Sequence, residues 1–350
     1  MREVMADIDR WLEQGEAVVL ATVVQTWGSS PRAAGAKMAL TPSGGMAGSV
    51  SGGCVEGATF EEGLAALKQN RARLIHFGVA DETAWEVGLA CGGSLDVFVQ
   101  PLERTIYAAY RELLLAERPF AAATLVKTAA GDEASLGRAF LLDEAGSVAA
   151  FTGAAPGEAE MAAARKTLAA GQTATVALPS GGWFIEAVWP APTLIVVGGV
   201  HIAIALTRLA KTLGYRTIVV DPRKAFGSEA RFPHVDRLVQ AWPDEALTEI
   251  GLSRATAVAL LTHDPKLDDP GLLVALRSPA FYVGALGSRT TQEKRRARLK
   301  AAGLSDEQLA RLRGPIGLDL GGRTPEEIAL AILAEIVAAR NGRLAAGWAA

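Results

Sequence analysis

The sequence predicts an α/β protein: a C-terminal Rossmann-like parallel sheet preceded by an N-terminal α+β domain. Three observations lead there. Residues 194–197 are an unbroken apolar run that reads as a buried parallel strand. Gly198-Gly199 follows directly, and then a helical pattern sets Ile202, Leu206, Leu209, Ala210 and Leu213 on one face. After Gly214 comes a second strand, 217–220, which stops at Asp221, 23 residues beyond Gly198. Strand, Gly turn, helix, strand and acid, in that order, open a Rossmann-type unit.

Glycine suits such a turn because backbone N–H groups at a helix start approach a phosphate only where no side chain intervenes. The acid after the second strand commonly holds a ribose hydroxyl. Gly198 and Ala203 fit the Gly-x-Gly-x-x-Gly/Ala fingerprint, whereas Val200 occupies its second Gly position. The alternative is that Gly198 and Gly199 only make a tight turn.

At 350 residues the chain holds two or three domains with ample core. The expected division is an N-terminal domain over 1–189, motif-rich at about 15–100, and a C-terminal domain over 193–345. The stiff Pro190-Ala191-Pro192 lies between them. Half the residues are hydrophobic and the net charge is −3, so the bulk composition calls for neither nucleic acid nor an anionic membrane. Gly, Thr or charge interrupts every apolar run well short of a membrane span. Acids break up the N-terminus, which does not read as a signal peptide. Two cysteines make no disulfide framework, and a reducing cytoplasm is the expected setting. The four histidines are scattered without zinc spacing.

Taken in order, residues 2–14 form an amphipathic helix with Val4, Ile8, Trp11 and Leu12 on one face. The β-branched stretch 17–25 is a strand running into Thr26-Trp27-Gly28-Ser29-Ser30-Pro31-Arg32, a donor-rich loop. Strand 36–40 and the short Met46-Ala47 lead to Gly48-Ser49-Val50-Ser51-Gly52-Gly53-Cys54-Val55-Glu56 and a helix near 55–69. A Gly-rich loop that delivers Ser and Cys to a helix start is an anion or nucleophile site in many proteins, and the helix dipole lowers the pKa of a thiol placed there. Strand 74–77 is followed by Gly88-Leu89-Ala90-Cys91-Gly92-Gly93-Ser94 and strand 95–99. Cys54 and Cys91 thus sit in mirrored contexts, each beside a Gly pair. They either share a site or are two small buried thiols filling tight turns. A helix over 103–117, strands 120–127 and 137–142, a helix over 156–170 and a hairpin of 173–178 with 183–188 complete this half.

In the second half, Arg223 stands two residues past Asp221, where it can meet an extra phosphate or pair with the acid. Strands at 237–240, 257–261 and 281–284 follow. The last two end in Thr262-His263-Asp264 and Leu286-Gly287-Ser288-Arg289. Ligands of open α/β sheets bind beyond the carboxyl ends of the strands, so His263, Asp264, Ser288 and Arg289 are expected to face one crevice. Otherwise Thr262 and Asp264 are turn or cap residues and Arg289 a solvated charge. Helix 292–301 is basic without interleaved aromatics and reads as a solvated face rather than a nucleic-acid surface. Ser305 to Gln308 and Thr324 to Glu327 have capping-box form, the latter with Pro325 at the first helical position. Between them, the Gly-punctuated loop 315–323 is either a ligand lid or a packing device.

These blocks together resemble the XdhC/CoxI family, accessory proteins of molybdenum hydroxylases. The resemblance rests on Gly28-Ser29-Ser30-Pro31-Arg32, the 48–56 loop, Cys91-Gly92-Gly93, the 198–203 turn, Asp221-Pro222-Arg223, Thr262-His263-Asp264, Gly287-Ser288-Arg289, and 315–319 through Thr324-Pro325-Glu326-Glu327. They follow the family's order, and the stretch 103–190 carries little of it. The family's turn usually reads Gly-x-Gly-His; here Val200 replaces the second Gly while His201 matches.

The resemblance implies binding of the molybdenum cofactor, in mono- or dinucleotide form, by a cytoplasmic chaperone without turnover of its own. It further implies sulfuration of the cofactor with a cysteine desulfurase and delivery to an apo-hydroxylase such as xanthine dehydrogenase. The implied binding residues are Ser29, Arg32, Ser51, Gly52, Gly53, Cys54 and Cys91 in the first half. In the second they are Gly198, Gly199, His201, Asp221, Arg223, His263, Asp264, Gly287, Ser288 and Arg289. The two domains would clamp the cofactor, with Cys54 and Cys91 near its molybdenum. The competing expectation is an NAD(P)-dependent oxidoreductase with His263 or Asp264 as acid or base; a third is a docking protein that binds no small molecule. A homodimer is compatible with this organisation, and no apolar stripe specifies it.

Overall fold

Helical spacing buries Val4, Ile8 and Trp11 on one side of α1 (Arg2–Glu13) in the computed structural model, which describes residues 1–30, 32–78, 93–129 and 132–344. The chain divides into two units, Met1–Pro190 and Ala191–Ala350.

The first unit holds two antiparallel sheets of five strands. Its first part runs β1 (Val19–Trp27), β2 (Lys37–Leu40), β3 (Met46–Gly48), α2 (Glu56–Gln69), β4 (Arg73–Phe77) and β5 (Ser94–Pro101), in the sheet order β3-β2-β1-β5-β4. One face of this sheet, with Val19, Ala21, Val23, Val97 and Val99, is covered by Ala66, Phe60 and Leu64 of α2. The second part runs α3 (Arg104–Leu115), β6 (Phe120–Thr128), β7 (Ala139–Asp143), β8 (Val148–Phe151), α4 (Glu158–Ala170), β9 (Ala174–Leu178) and β10 (Gly181–Val188), ordered β8-β7-β6-β10-β9. Strand β8 is absent from the sequence reading; its alternating burial leaves only half its residues covered. The two sheets meet where Val24 and Phe98 pack on Val126 and Phe184. There the buried Lys37 bonds Thr22 at 3.2 Å and the Glu186 carboxylate at 2.9 Å. A buried cation persists because it is paired and hydrogen-bonded.

The second unit runs β11 (Thr193–Val197), α5 (His201–Thr212), β12 (Arg216–Val220), β13 (Arg237–Val239), α6 (Pro243–Ile250), β14 (Thr256–Leu260), α7 (Pro265–Arg277), β15 (Tyr282–Ala285), α8 (Arg289–Ala301), α9 (Asp306–Ala310), β16 (Leu312–Arg313) and α10 (Pro325–Arg340). Its sheet is parallel throughout, ordered β13-β12-β11-β14-β15-β16. Both faces are buried. Ile195, Val197, Val258 and Leu260 pack on Leu247 of α6 and Leu272 and Leu276 of α7. Leu194, Val196, Ala257 and Ala259 pack on Leu206 of α5 and Ile332 and Ile336 of α10. Burial on both faces is why these strands read as unbroken apolar runs rather than alternating ones. The order reverses between β11 and β14, the topological switch point of such sheets.

One sequence expectation is corrected here. Helix α8 is not simply a solvated basic face: Arg295 is 1% exposed, and Arg296 turns inward to bond the carbonyls of Leu309 and Leu312. Among the described residues no helix is long and apolar enough to cross a membrane.

Candidate functional site

Parallel register makes β11, β12, β14 and β15 end at one edge of the sheet, and the residues just beyond them carry the polar groups. After β11 the Gly198 N–H bonds the Val220 carbonyl at 2.8 Å, and the Gly199 N–H donates to Asp221 Oδ2 at 2.8 Å. A Cβ on Gly199 would lie 2.4 Å from the Phe226 carbonyl oxygen, so only glycine lets the segment after β12 fold this closely over the turn. The next N–H groups, of Val200, His201 and Ile202, have no partner among the described residues. They stand at the start of α5, where a helix leaves its first donors unpaired.

Asp221 is fully buried. Its Oδ1 accepts from the Arg223 backbone N–H and Nε, each at 2.9 Å, and its Oδ2 accepts from Arg223 at 2.8 Å as well as from Gly199. Burial pushes this acid up, but the bonds from Arg223 and the Gly199 N–H outweigh it and hold the carboxyl below its ordinary value. Of the two sequence readings of Arg223, the geometry has the guanidinium paired with Asp221, and stacked 4.0 Å over the Phe226 ring.

At the end of β14, His263 takes a left-handed conformation (φ 64°), and its exposed side chain makes no hydrogen bond or ion pair among the described residues. Asp264 is the N-cap of α7, accepting from the Lys266 N–H at 3.0 Å. At the end of β15, Gly287 turns the chain and Ser288 is the N-cap of α8, accepting from the Thr291 N–H at 3.3 Å. Arg289 opens α8, exposed, with no side-chain bond among the described residues. Asp264 thus does the capping work allowed for in the alternative reading, and Ser288 caps α8, a role the sequence reading did not give it. His201, His263 and Arg289 remain as exposed groups from the ends of three different strands.

A buried network that sequence reasoning missed stands behind the β14 and β15 ends. Thr262 donates to Asp268 Oδ1 at 2.5 Å, Arg295 donates to Asp268 Oδ2 at 2.8 Å, and both charged side chains are at most 2% exposed. Arg295 also bonds the Leu286 carbonyl and Gln292 Oε1, while the Gln292 amide donates to the carbonyls of Ala285 and Gly287. Burial raises the Asp268 pKa even against the Thr262 hydroxyl and Arg295. One signal was available: Asp268 and Arg295 fall in register with Leu272 and Leu299, polar residues at core positions of their helices.

In the first unit the Gly-rich loop closes on its own helix. Glu56, in the first turn of α2, accepts from the N–H groups of Val50, Ser51, Gly52 and Gly53 at 2.8–3.2 Å, and from the Ser49 and Ser51 hydroxyls at 2.5 Å. Burial raises this acid, but these bonds outweigh it and bring the pKa to about 2. The anion the loop was expected to hold is, in this structure, the chain's own carboxylate. Cys54 stands exposed immediately after it. Arg32 is engaged as well, bonding both oxygens of Glu3 at 2.6 and 2.8 Å. Ser29 is exposed on the loop after β1. Cys91 lies outside the described residues.

Loop 315–323 divides in two. Ile316 is buried and the Gly317 N–H bonds Glu335 at 2.7 Å, whereas Asp319 and Leu320 are exposed.

Residues 194–336 match the model of the XdhC Rossmann domain, and residues 11–78 match that of the XdhC and CoxI family. The chain is 28% identical over 343 residues to a probable xanthine dehydrogenase subunit of Bacillus subtilis (strain 168), covering 95% of this chain and 96% of the relative. It is 28% identical over 334 residues to the molybdenum cofactor insertion chaperone PaoD of Escherichia coli (strain K12), covering 94% and 85%. The crystal structure of a xanthine dehydrogenase from Bacillus halodurans, 22% identical, shares the fold with a TM-score of 0.73 over 98% of this chain and 97% of that one. The two family matches together span more than half of the sequence, and the chain belongs to the XdhC/CoxI family.

Proposed function

We propose that this protein is a cytoplasmic carrier of the molybdenum cofactor: it binds the cofactor, supports its sulfuration by a cysteine desulfurase and delivers it to a molybdenum hydroxylase such as xanthine dehydrogenase. The observation that carries the reading is the set of donors at the carboxyl edge of the parallel sheet that have no partner among the described residues, in the domain that matches the XdhC Rossmann model. The relative named as a molybdenum cofactor insertion chaperone supports it.

The donor set fits a phosphate-bearing, oxygen-rich ligand at particular points. The N–H groups from Val200 to Ile202 receive anionic oxygens, Arg289 at the start of α8 supplies a charge, and the His201 and His263 rings supply hydrogen bonds. The Gly199 N–H, already filled by Asp221, takes no part in this form. Bound there, the cofactor supplies the metal centre at which a ligand oxygen is exchanged for sulfur. Cys54, exposed on its Glu56-braced loop, is assigned to the metal end because a thiol is a soft neighbour.

The oxidoreductase reading has less support. Both Asp221 oxygens are occupied by Gly199 and Arg223, so the acid that would hold a nicotinamide ribose is engaged internally. Gel filtration after anaerobic incubation with released cofactor tests the two readings together. Stoichiometric co-elution of molybdenum and pterin is expected, reduced several-fold by Arg289→Ala. In Cys54→Ala the pterin is expected to be kept while activation of the target falls. Co-elution of neither, with saturable nicotinamide binding, would overturn the carrier and leave the dehydrogenase.

A further inference from the structure

The last helix, α10, is apolar on every side: between Glu327 and Arg340 its only charged residue is Glu335. A helix of that composition belongs in a place where it is covered all round. Its inner side is covered. Ala329, Ile332, Leu333 and Ile336 pack into the core, and the buried Glu335 accepts from the Tyr282 hydroxyl and the Gly317 N–H. Its outer side is not. Leu330 is 52% exposed, and Ala334, Val337 and Asn341 follow it at helical spacing, all incompletely buried and outside that core. We infer that this outer face docks a second copy of the chain, the two α10 helices packing antiparallel about a two-fold axis near Ala334.

Loop 315–323 extends this face. It runs back along the helix, with the Leu318 N–H on the Ala331 carbonyl at 3.2 Å and Gly322 against Glu327, and it leaves Leu320 55% exposed at the border. Contiguous apolar surface of this kind marks an interaction site. The sequence showed no stripe for a dimer because Ile328, Ile332 and Ile336 account for the helix there. Those residues turn inward, and only then does the outer row stand out.

A two-fold interface sets one patch against itself, so the patch must be its own complement. Along α10 it is. The amino end carries Asp319, Glu326 and Glu327 against Arg323, while the carboxyl end carries Arg340 and Arg343, and no acid follows Glu335 in the sequence. Antiparallel packing lays each acidic end on the partner's basic end, whereas parallel packing lays like on like. Glu327 is taken up by the Arg323 and Thr324 N–H groups, and Arg340 lies over the Tyr215 ring. Glu326 and Arg343 are exposed, with no side-chain hydrogen bond or ion pair among the described residues. They stand eight and nine residues on either side of Ala334, so the axis that puts Ala334 on its own copy brings Glu326 to the partner's Arg343. The same axis sets Leu330 on the partner's Ala338, and the small Ala334 and Ala338 let the helices approach. None of these residues belongs to the proposed cofactor edge, so a change in assembly and a change in cofactor retention can be told apart.

The test is sedimentation velocity of the full-length protein over a series of micromolar concentrations, at low and high salt. A reversible dimer is expected, weaker at high salt. Leu330→Glu and Ala334→Arg should each raise the dissociation constant at least about tenfold, since each buries a charge at the centre of the interface. Both positions are at the surface, so circular dichroism melting should stay near wild type and show that the loss is not unfolding. Glu326→Arg and Arg343→Glu should each weaken the dimer about fivefold, and the double reversal should restore it. A wild type that stays monomeric throughout overturns the proposal. So does a dimer that ignores Leu330→Glu and Ala334→Arg, which would be built on another face. A double reversal no better than the single ones overturns the antiparallel arrangement, and the second copy as occupant with it.

Discussion

Two glycine-rich turns that read as phosphate cradles each hold a carboxylate of the same chain: Glu56 in the 49–53 loop and Asp221 at Gly199. Successive backbone N–H groups in a turn form an anion nest whatever the anion's source, and a tethered carboxylate competes for it at high effective concentration. Glu56→Gln should therefore cost about 2 kcal/mol near neutral pH, the scale of hydrogen bonds to a charged group. The pH dependence follows from the sign of the shift. Glu56 has a folded-state pKa of about 2 against an ordinary 4.5, so its contribution is complete above pH 4.5 and is lost as pH falls toward 2. Denaturation of wild type and Glu56→Gln should give stabilities that converge across that window; a constant gap down to pH 2 would refute the assignment. The residues themselves were legible in the sequence. What Glu56 does was not, because Ser51-Gly52-Gly53 announces an anion site without saying which anion occupies it. Arg223 was ambiguous for the same reason: pairing with Asp221 and meeting a phosphate need the same side chain at the same spacing.

Elements were most legible where burial writes a simple pattern. The runs of β11, β12, β14 and β15 are apolar because both faces of the sheet are covered, and the capping boxes at Ser305 and Thr324 are both formed. Legibility failed where a polar residue takes a core position. Arg295 sits in a run of charges, and only its partner Asp268, on a different helix, shows that one of those charges is inside. Local sequence does not carry a partner 27 residues away. This pair ties α7 to α8 and, through Gln292, to the Ala285 and Gly287 carbonyls. Removing one partner leaves an uncompensated buried charge, so Arg295→Leu should destabilise by about 3–5 kcal/mol. The double variant Asp268→Leu/Arg295→Leu should recover much of that loss. Urea denaturation of the two variants checks both statements; equal midpoints would mean that the pair is not coupled.

For the whole molecule, the same arrangement separates binding from stability. His201, His263 and Arg289 project exposed from a sheet edge whose geometry is held by other residues: Asp221 beneath the Gly turn, and Asp268 with Arg295 behind the β14 and β15 ends. Exposed side chains without partners contribute little to folding, within about 0.5 kcal/mol. Substituting them should remove ligand contacts while leaving the melting temperature within roughly 2 °C of wild type. Asp268→Asn acts on the support instead: it strands Arg295 in the core and should lower the melting temperature by about 10 °C, taking the proposed binding edge with it. Asp221→Asn is the informative intermediate. Its charge holds Arg223 and the Gly199 N–H, so the neutral amide loosens the turn, yet it also releases a donor and a guanidinium that an incoming phosphate can use. Cofactor retention and melting temperature measured on all five single variants resolve the point. If the edge is the site, His201→Ala, His263→Ala and Arg289→Ala fall in retention alone, Asp268→Asn falls in both, and Asp221→Asn loses stability while keeping or gaining retention. Retention that tracks melting temperature across the whole set would mean that the edge contributes only by being folded, and the binding site would have to be sought elsewhere in the chain.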